Sequence, residues 1–370
     1  MVKTAKKYLA VGLMSGTSLD GVDAVLILTD GQQEIRRVAS HYLAFAPAFK
    51  QALMAVAKGD VPLSDLLRLE RQYTEEVLKA TRQLLATREA GESPKPDVIG
   101  FHGQTIRHLP EEGLTWQMGD SSFLAEKTGI PVVADFRRRD MACGGEGAPF
   151  ASYYHRAILP ESAAPQVVVN IGGVANITYI PGKGEANALQ AGDVGPGCAL
   201  LDVWMQKHFG KAYDNGGKTA LSGTPDEEWV AKTISSLPFF AKALPKSADR
   251  YLFDSLMPPK TMPPADGAAS LCALTAACIC SAVEQINQNA SHEEPHLWLT
   301  GGGAKNKAIT QMLGKKFTHV KPINDIGVPG DILEAECFAW LAVRRLAGLP
   351  TSGPQTTGAQ HETTGGVLTA

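Results

Sequence analysis

The 370-residue sequence contains no run approaching the ~20 consecutive apolar residues of a membrane span. It also lacks a charge imbalance. Thirty-five basic residues against 38 acidic ones leave a net charge of −3, which gives neither nucleic acid nor an anionic membrane a reason to bind. Lys3, Lys6 and Lys7 make a short basic start, but Tyr8 to Met14 is too short and too broken for a secretory apolar region. The six cysteines (Cys143, Cys198, Cys272, Cys278, Cys280, Cys337) lie mostly in apolar or glycine-rich stretches. Cys278-Ile279-Cys280 lacks zinc-finger spacing and has no histidine cluster beside it. These thiols read as reduced, in a cytoplasmic protein. What remains is enough apolar content, 44%, to bury real cores, and a length that suits about two domains.

A glycine-rich turn occurs twice. Tyr8 to Val11 leads into Gly12-Leu13-Met14-Ser15-Gly16-Thr17-Ser18-Leu19-Asp20-Gly21, and Val22 to Leu28 leaves it. Val167-Val168-Val169-Asn170 leads into Ile171-Gly172-Gly173-Val174-Ala175-Asn176, and Ile177 to Ile180 leaves it. Both read as strand, turn, strand, with Asp20-Gly21 as a hairpin signal in which glycine takes the positive φ. Turns rich in Gly, Ser and Thr expose backbone N–H groups to phosphate oxygens. The repeat predicts two related lobes gripping one polyphosphate. In the first turn Ser15, Thr17 and Ser18 add hydroxyls, and Asp20 or Asp23 can hold magnesium through water. No Gly-Lys-Ser/Thr follows, so it is not a Walker loop. An Asp-Gly turn also occurs in many hairpins that bind nothing.

Helical spacing runs from about residue 47 to 90. Short apolar runs at Asp97 to Phe101 and Pro131 to Ala134 read as buried strands, with one or two helical turns from Ser121 to Lys127 between them. Further helices are expected at Leu200 to Phe209, Glu227 to Ser236, Ala268 to Ile286 (apolar almost all round) and Glu334 to Leu346. Leu297 to Thr300 reads as a strand, and the tail from Thr351 as loop that frays at its end. Strands alternating with helices predict an α/β protein, and the hairpins make its sheets mixed.

Three other segments carry chemistry. Gly301-Gly302-Gly303 follows a strand and opens toward a helix, where a nucleotide can approach without meeting side chains. Arg137-Arg138-Arg139 beside Gly144-Gly145-Glu146-Gly147 reads as an anion clamp or, equally, as a solvated charge run. Asp193-Val194-Gly195-Pro196-Gly197 puts a carboxylate on a rigid turn, as a general base or as an acid that only satisfies backbone donors. The spacing of His102 and His108 suits no familiar metal pair.

Together these pieces resemble the anhydro-N-acetylmuramic acid kinase family. The resemblance rests on Gly12 to Asp23, Phe101-His102-Gly103-Gln104-Thr105-Ile106-Arg107-His108, Ala134 to Asp140 with Gly144 to Pro149, Asn170 to Gly173, Gly192 to Gly197, Gly301 to Gly303 and Thr357-Gly358-Ala359. It runs in order from about residue 8 to the C-terminus. It implies the sugar kinase, heat-shock ATPase and actin superfamily, with two ribonuclease-H-like lobes and ATP in the cleft between them. The lobes would be 1–165 and 166–370, with the C-terminal helix packing back on the first.

The resemblance also implies roles. Gly16, Thr17, Ser18, Leu19, Asp20, Gly21, Val22 and Asp23 match the family's ATP phosphate segment. Gly172 and Gly173 match the second phosphate hairpin, and Gly301, Gly302 and Gly303 the adenosine-side turn. Asp193 matches the catalytic aspartate. Arg137, Arg138, Arg139, Gln104 and Glu334 fall on the substrate side, with the acid sugar's lactyl carboxylate as the arginines' partner. Mg²⁺ arrives with ATP, Asp20 being a candidate ligand, and a homodimer is implied. The sequence departs from the family at Cys198, where Asn is usual, and at Asp249, where Gly is usual. A kinase for another sugar or small acid on the same fold is the alternative enzyme. A nucleotide-binding assembly or chaperone-like module is the alternative from another class.

Overall fold

The computed structural model describes residues 6–16, 18–59, 61–87, 95–183, 189–290 and 293–370. They form two units. Unit 1 comprises Met1–Ile158, Ile332–Pro354 and Ala359–Ala370, and unit 2 comprises Leu159–Asp331 and Gln355–Gly358.

Unit 1 is built on strands β1 (Tyr8–Ser15), β2 (Gly21–Thr29), β3 (Ile35–Ala44), β4 (Val98–Leu109), β5 (Leu114–Met118) and β6 (Val132–Ala134). Their order is β6-β4-β1-β2-β3, with β5 beside β4. β1 pairs antiparallel with β2 and parallel with β4, so the sheet is mixed. The near-continuous apolar run of β1 is buried along almost its whole length, as a strand covered on both faces requires. β3 alternates between exposed and half-buried positions, as an edge strand does.

On one face lie the helices Pro47–Lys58 and Leu63–Ala86, whose Leu53, Leu69, Tyr73, Val77 and Leu84 pack with Leu9, Val11 and Leu13. Ala10 and Gly12 alternate to the other face. There the helix Leu333–Ala347 lies so close that a β-carbon on Gly12 would overlap the Ala335 carbonyl, and one on Gly100 the Phe338 carbonyl. Glu336 on that helix is fully buried. It accepts from Arg37 Nε and Nη2 at 2.5 and 3.0 Å and from the Tyr154 hydroxyl at 2.7 Å. A paired, hydrogen-bonded charge can be held in such a place.

Unit 2 repeats the plan. Its strands are β7 (Gln166–Ile171), β8 (Val174–Ile180), β9 (Gln190–Pro196), β10 (His296–Thr300) and β11 (Val320–Pro322), in the order β11-β10-β7-β8-β9. β7 pairs antiparallel with β8 and parallel with β10, the same ribonuclease-H-like pattern as in unit 1. The helix Pro264–Ala290 is its core helix. By length and composition Pro264–Asn287 could cross a membrane, but 72% of its most apolar window is buried, among Trp204, Ile177 and their neighbours.

Four expectations change. The helical stretch from 47 divides at Gly59, whose φ of 90° ends the first helix. β4 runs on to Leu109 because β5 pairs with it, so His102 and His108 sit on a strand. Asp193 to Pro196 belong to β9 and pair with β8, so the carboxylate stands on a strand and not on a turn. The tail does not fray: Val367–Thr369 is an edge strand antiparallel to β6, with Val367, Leu368 and Thr369 opposite Ala134, Val133 and Val132.

Two outcomes follow. Gly12→Ala has no room for its methyl against helix backbone and should destabilise the protein by at least about 1–3 kcal/mol, read from urea unfolding midpoints. Burial lowers the pKa of His155 to about 3 and, with the charge of Arg137, that of His108 to about 3. Both lie below the unfolded value of about 6.5, so the unfolded chain binds more protons between the two values. Their stabilisation is complete above about pH 6.5 and should fall by up to about 1.4 kcal/mol per pH unit for each histidine as pH drops toward 3. Urea midpoints at successive pH values check this, and His155→Gln should flatten the slope.

Candidate active site

The first glycine turn joins β1 to β2. Thr17 lies outside the described residues. The left-handed residue is Leu19, at φ 56°, and not Gly21. Leu19 can hold that conformation because its N–H donates to the Gly16 carbonyl at 3.2 Å and its side chain is anchored in the unit 1 core. Gly21 is needed for packing instead, since a β-carbon there would overlap the Leu43 carbonyl of β3. Val22 is fully buried and Asp23 lies within β2, so among the described residues Gly16, Ser18 and Asp20 edge the turn itself. A β-carbon on Gly16 would meet nothing nearer than Ser18 Oγ at 3.8 Å, which leaves open space beside it. Gln104 is fully buried beneath the turn. Its Oε1 accepts from Ser15 Oγ at 2.7 Å and its Nε2 donates to the Gly16 carbonyl at 3.3 Å.

Asp20 is exposed and ion-paired with Lys50. Among the described residues no three His, Cys, Asp or Glu side chains gather into a metal cage. A magnesium carried by ATP phosphates asks the protein for only one or two carboxylates. Asp20 suits that kind of ion, and the donor set suits no dedicated protein site.

In unit 2 the Gly172–Gly173 turn and the start of the helix Ala199–Phe209 are tied together. Cys198 N–H donates to the Gly172 carbonyl at 2.7 Å and Gly197 N–H to the Gly173 carbonyl at 2.9 Å. A β-carbon on Gly172 would have only the Val174 carbonyl nearby, at 3.5 Å. The three glycines after β10 divide into two kinds. Gly301 has φ 78° and Gly303 packs where a β-carbon would overlap Ile171, whereas nothing lies within 4 Å of a β-carbon on Gly302. The open position is therefore Gly302. Asn306 then caps the helix Lys307–Gly314, accepting from Ala308 N–H at 2.9 Å. Cys198, the departure from the family, is half-buried, and desolvation and then the charge of Asp202 push its thiol up to about 12.

Asp193 stands on β9 opposite Asn176, beside a register shift that places Gly195 opposite Ala175. It is 7% exposed. Its Oδ2 accepts from the Ala248 N–H at 2.8 Å, and its own N–H donates to the Lys246 carbonyl at 2.8 Å. Side chain and backbone are thus both fixed by one segment. Asp249, the other departure, caps the turn Arg250–Phe253 by accepting from Tyr251 N–H at 2.8 Å.

The arginine run forms a helix, Phe136–Ala142, which fans its side chains apart. Arg138 and Arg139 are exposed, with Arg138 3.2 Å from Asp135. Arg137 turns inward and donates to His102 Nε2 and to the Gly147 carbonyl. Glu334 is half-buried in the first turn of Leu333–Ala347. Burial and the Glu334 charge push the Cys337 thiol up, while the charge of Arg137 opposes them. Sequence reasoning did not find the Ala248 N–H on Asp193 or the role of His102. Both partners are distant in sequence, and only the tertiary fold brings them close.

Gly302→Val should weaken ATP binding while leaving thermal stability unchanged, and Gly303→Val should destabilise unit 2. Calorimetric titration with ATP and melting curves would separate the two.

A family profile described as anhydro-N-acetylmuramic acid kinase matches residues 8–370. The anhydro-N-acetylmuramic acid kinase of Bradyrhizobium diazoefficiens is 43% identical, over 97% of this chain and 98% of its own. That of Gluconobacter oxydans is 41% identical, over 95% and 97%. A solved ROK-family glucokinase from Streptomyces griseus, in complex with glucose and AMPPNP, is 13% identical with a TM-score of 0.40 and covers 90% of this chain and 99% of its own. With its profile matched almost end to end and relatives this similar over their full length, the chain belongs to the anhydro-N-acetylmuramic acid kinase family.

Proposed function

We propose that this chain is an ATP-dependent kinase that opens 1,6-anhydro-N-acetylmuramic acid with water and phosphorylates it to N-acetylmuramic acid 6-phosphate, in the recycling of peptidoglycan sugars. The observation that carries the mechanism is Asp193, a carboxylate fixed by Ala248 N–H on one strand of unit 2, which also bears the Gly172 turn and Gly302.

An anhydro sugar has no free 6-hydroxyl, so a base cannot activate one. Water attacks the anomeric carbon and gives a proton to Asp193. The bond from that carbon to O6 breaks, and O6 takes the γ-phosphoryl group from ATP, leaving ADP. A base held by backbone contacts at both ends keeps the alignment such a step needs. Backbone N–H groups of the Gly16 turn suit phosphate oxygens, as do those of the Gly172 turn, and the open face at Gly302 suits the adenosine side. Magnesium bound with ATP neutralises phosphate charge, and Asp20 is the carboxylate offered to it. Arg137 binds the lactyl carboxylate. It is the arginine of the run whose guanidinium is oriented by fixed partners, whereas Arg138 and Arg139 face solvent. Glu334 faces the sugar. We place the reaction in the cytoplasm, where ATP and reduced thiols are found, and assign the protein a homodimer.

Asp193→Asn keeps the shape and loses the base. Turnover should fall ~10²–10⁴-fold with ATP and sugar still bound. In ¹⁸O-water the product should carry label in the anomeric hydroxyl and none in the phosphate ester, read by mass spectrometry. Label in the ester, or near-normal turnover of Asp193→Asn, would sink the mechanism.

A further inference from the structure

Asp193 is held by the segment that follows the turn Pro238–Ala241, and that segment is itself tied down by the Lys246 side chain. The Lys246 carbonyl accepts from Asp193 N–H at 2.8 Å, and two residues on, Ala248 N–H donates to Asp193 Oδ2 at 2.8 Å. The Lys246 ammonium reaches back along the chain. It donates to the carbonyls of Phe239 at 2.9 Å, Lys242 at 2.8 Å and Phe240 at 3.5 Å. An ammonium has donors enough for all of these. Lys246 is 6% exposed, and its Nζ lies 4.6 Å from the centre of the Phe239 ring. Phe239 and Phe240 both pack on Phe253, with ring centres 5.4 and 5.9 Å from it, at the core of unit 2. The segment also lies flat on β9. A β-carbon on Gly192, beside Asp193, would stand 2.9 Å from the Lys246 carbonyl oxygen and 3.0 Å from its nitrogen.

A buried ammonium loses its hydration, and hydrogen-bonded carbonyls replace it only in part. Methionine would fill the same space without that penalty. Burial lowers the Lys246 pKa, and electrostatic interaction with Cys278 and Asp193 opposes the shift. We propose that Lys246 is a positioning residue for the water-activating carboxylate: its ammonium gathers the carbonyls of Phe239, Phe240 and Lys242 and so fixes the strap of backbone that grips Asp193 at its N–H and at Oδ2. The proposal rests on the reading that Asp193 is the general base. Proton transfer falls steeply when a base is displaced, and a shift of the strap carries the carboxylate with it.

The test is a double-mutant cycle on single-turnover rates at saturating ATP and anhydro sugar, with steady-state KM values beside them. Lys246→Met and Lys246→Gln are each made alone and combined with Asp193→Asn. Lys246→Met keeps the stem and loses the donors. Its rate should fall at least about tenfold, with the KM for ATP and for the sugar within about threefold of wild type. Lys246→Gln keeps an amide donor on a shorter stem and should lose less, about threefold or more. In the Asp193→Asn background either change should alter the rate by less than about twofold, because the group being positioned no longer takes the proton. A loss under about threefold in folded Lys246→Met, or a loss confined to KM, overturns the proposal. An equal loss with and without the Asp193 carboxylate also overturns it, since that marks a lysine serving only the fold of unit 2. Should Lys246→Met fail to fold by circular dichroism, the Lys246→Gln cycle decides: a wild-type rate, or an equal loss on both backgrounds, overturns the proposal, and so does failure of both variants to fold. Near-normal turnover in Asp193→Asn overturns the base itself and the positioning role with it. Slow Asp193→Asn beside a wild-type rate in Lys246→Met overturns the positioning role alone.

Discussion

Unit 1 depends on a helix lying directly on sheet backbone. Leu333–Ala347 can reach β1 and β4 only because Gly12 and Gly100 present no side chain, and any β-carbon there would strike the helix carbonyls. Close packing leaves few ways to relax such a contact. The helix brings with it Glu334 in its first turn, Cys337 and Phe338 one turn later, and the buried Glu336 that ties it to Arg37 and Tyr154. The acid assigned to the sugar, and the ring that backs His102, are both placed by two missing methyl groups.

The two units share a strand order but spend their glycines differently. In unit 1 the turn after β1 is held by Leu19 in the left-handed region and by Gln104 from beneath. In unit 2 the corresponding turn after β7 gives its carbonyls to the start of the next helix. Both arrangements spend hydrogen bonds on backbone, so each turn keeps one shape without a bulky side chain at Gly16 or Gly172. A phosphate site built from N–H groups needs that rigidity, because its donors cannot be re-aimed one at a time.

Two arginines in unit 1 are held in different ways. The Glu336–Arg37 pair is an ion pair whose charges cancel, and it holds a helix in place. Arg137 donates to an imidazole nitrogen and to a backbone carbonyl, which fix the direction of its guanidinium.

The duplicated hairpins, the α/β class, most helices and the kinase family were legible in the sequence, because apolar periodicity and glycine spacing are local signals. The family motifs likewise named Asp193, the arginine run and the triple glycine by residue type and order. What the sequence could not divide was each motif's labour. Only the tertiary structure separated Gly302, with open space beside it, from Gly301 and Gly303, whose neighbours are Asn170 and Ile171 of β7. It moved the left-handed residue from Gly21 to Leu19, put Asp193 on a strand, tied the tail to β6, and turned Arg137 inward while leaving Arg138 and Arg139 outside. Each of these depends on a neighbour outside the motif, such as Leu43, Asn176, Val133 or His102. Sheet register and helix phase choose those neighbours, and neither is written in the few residues of a motif.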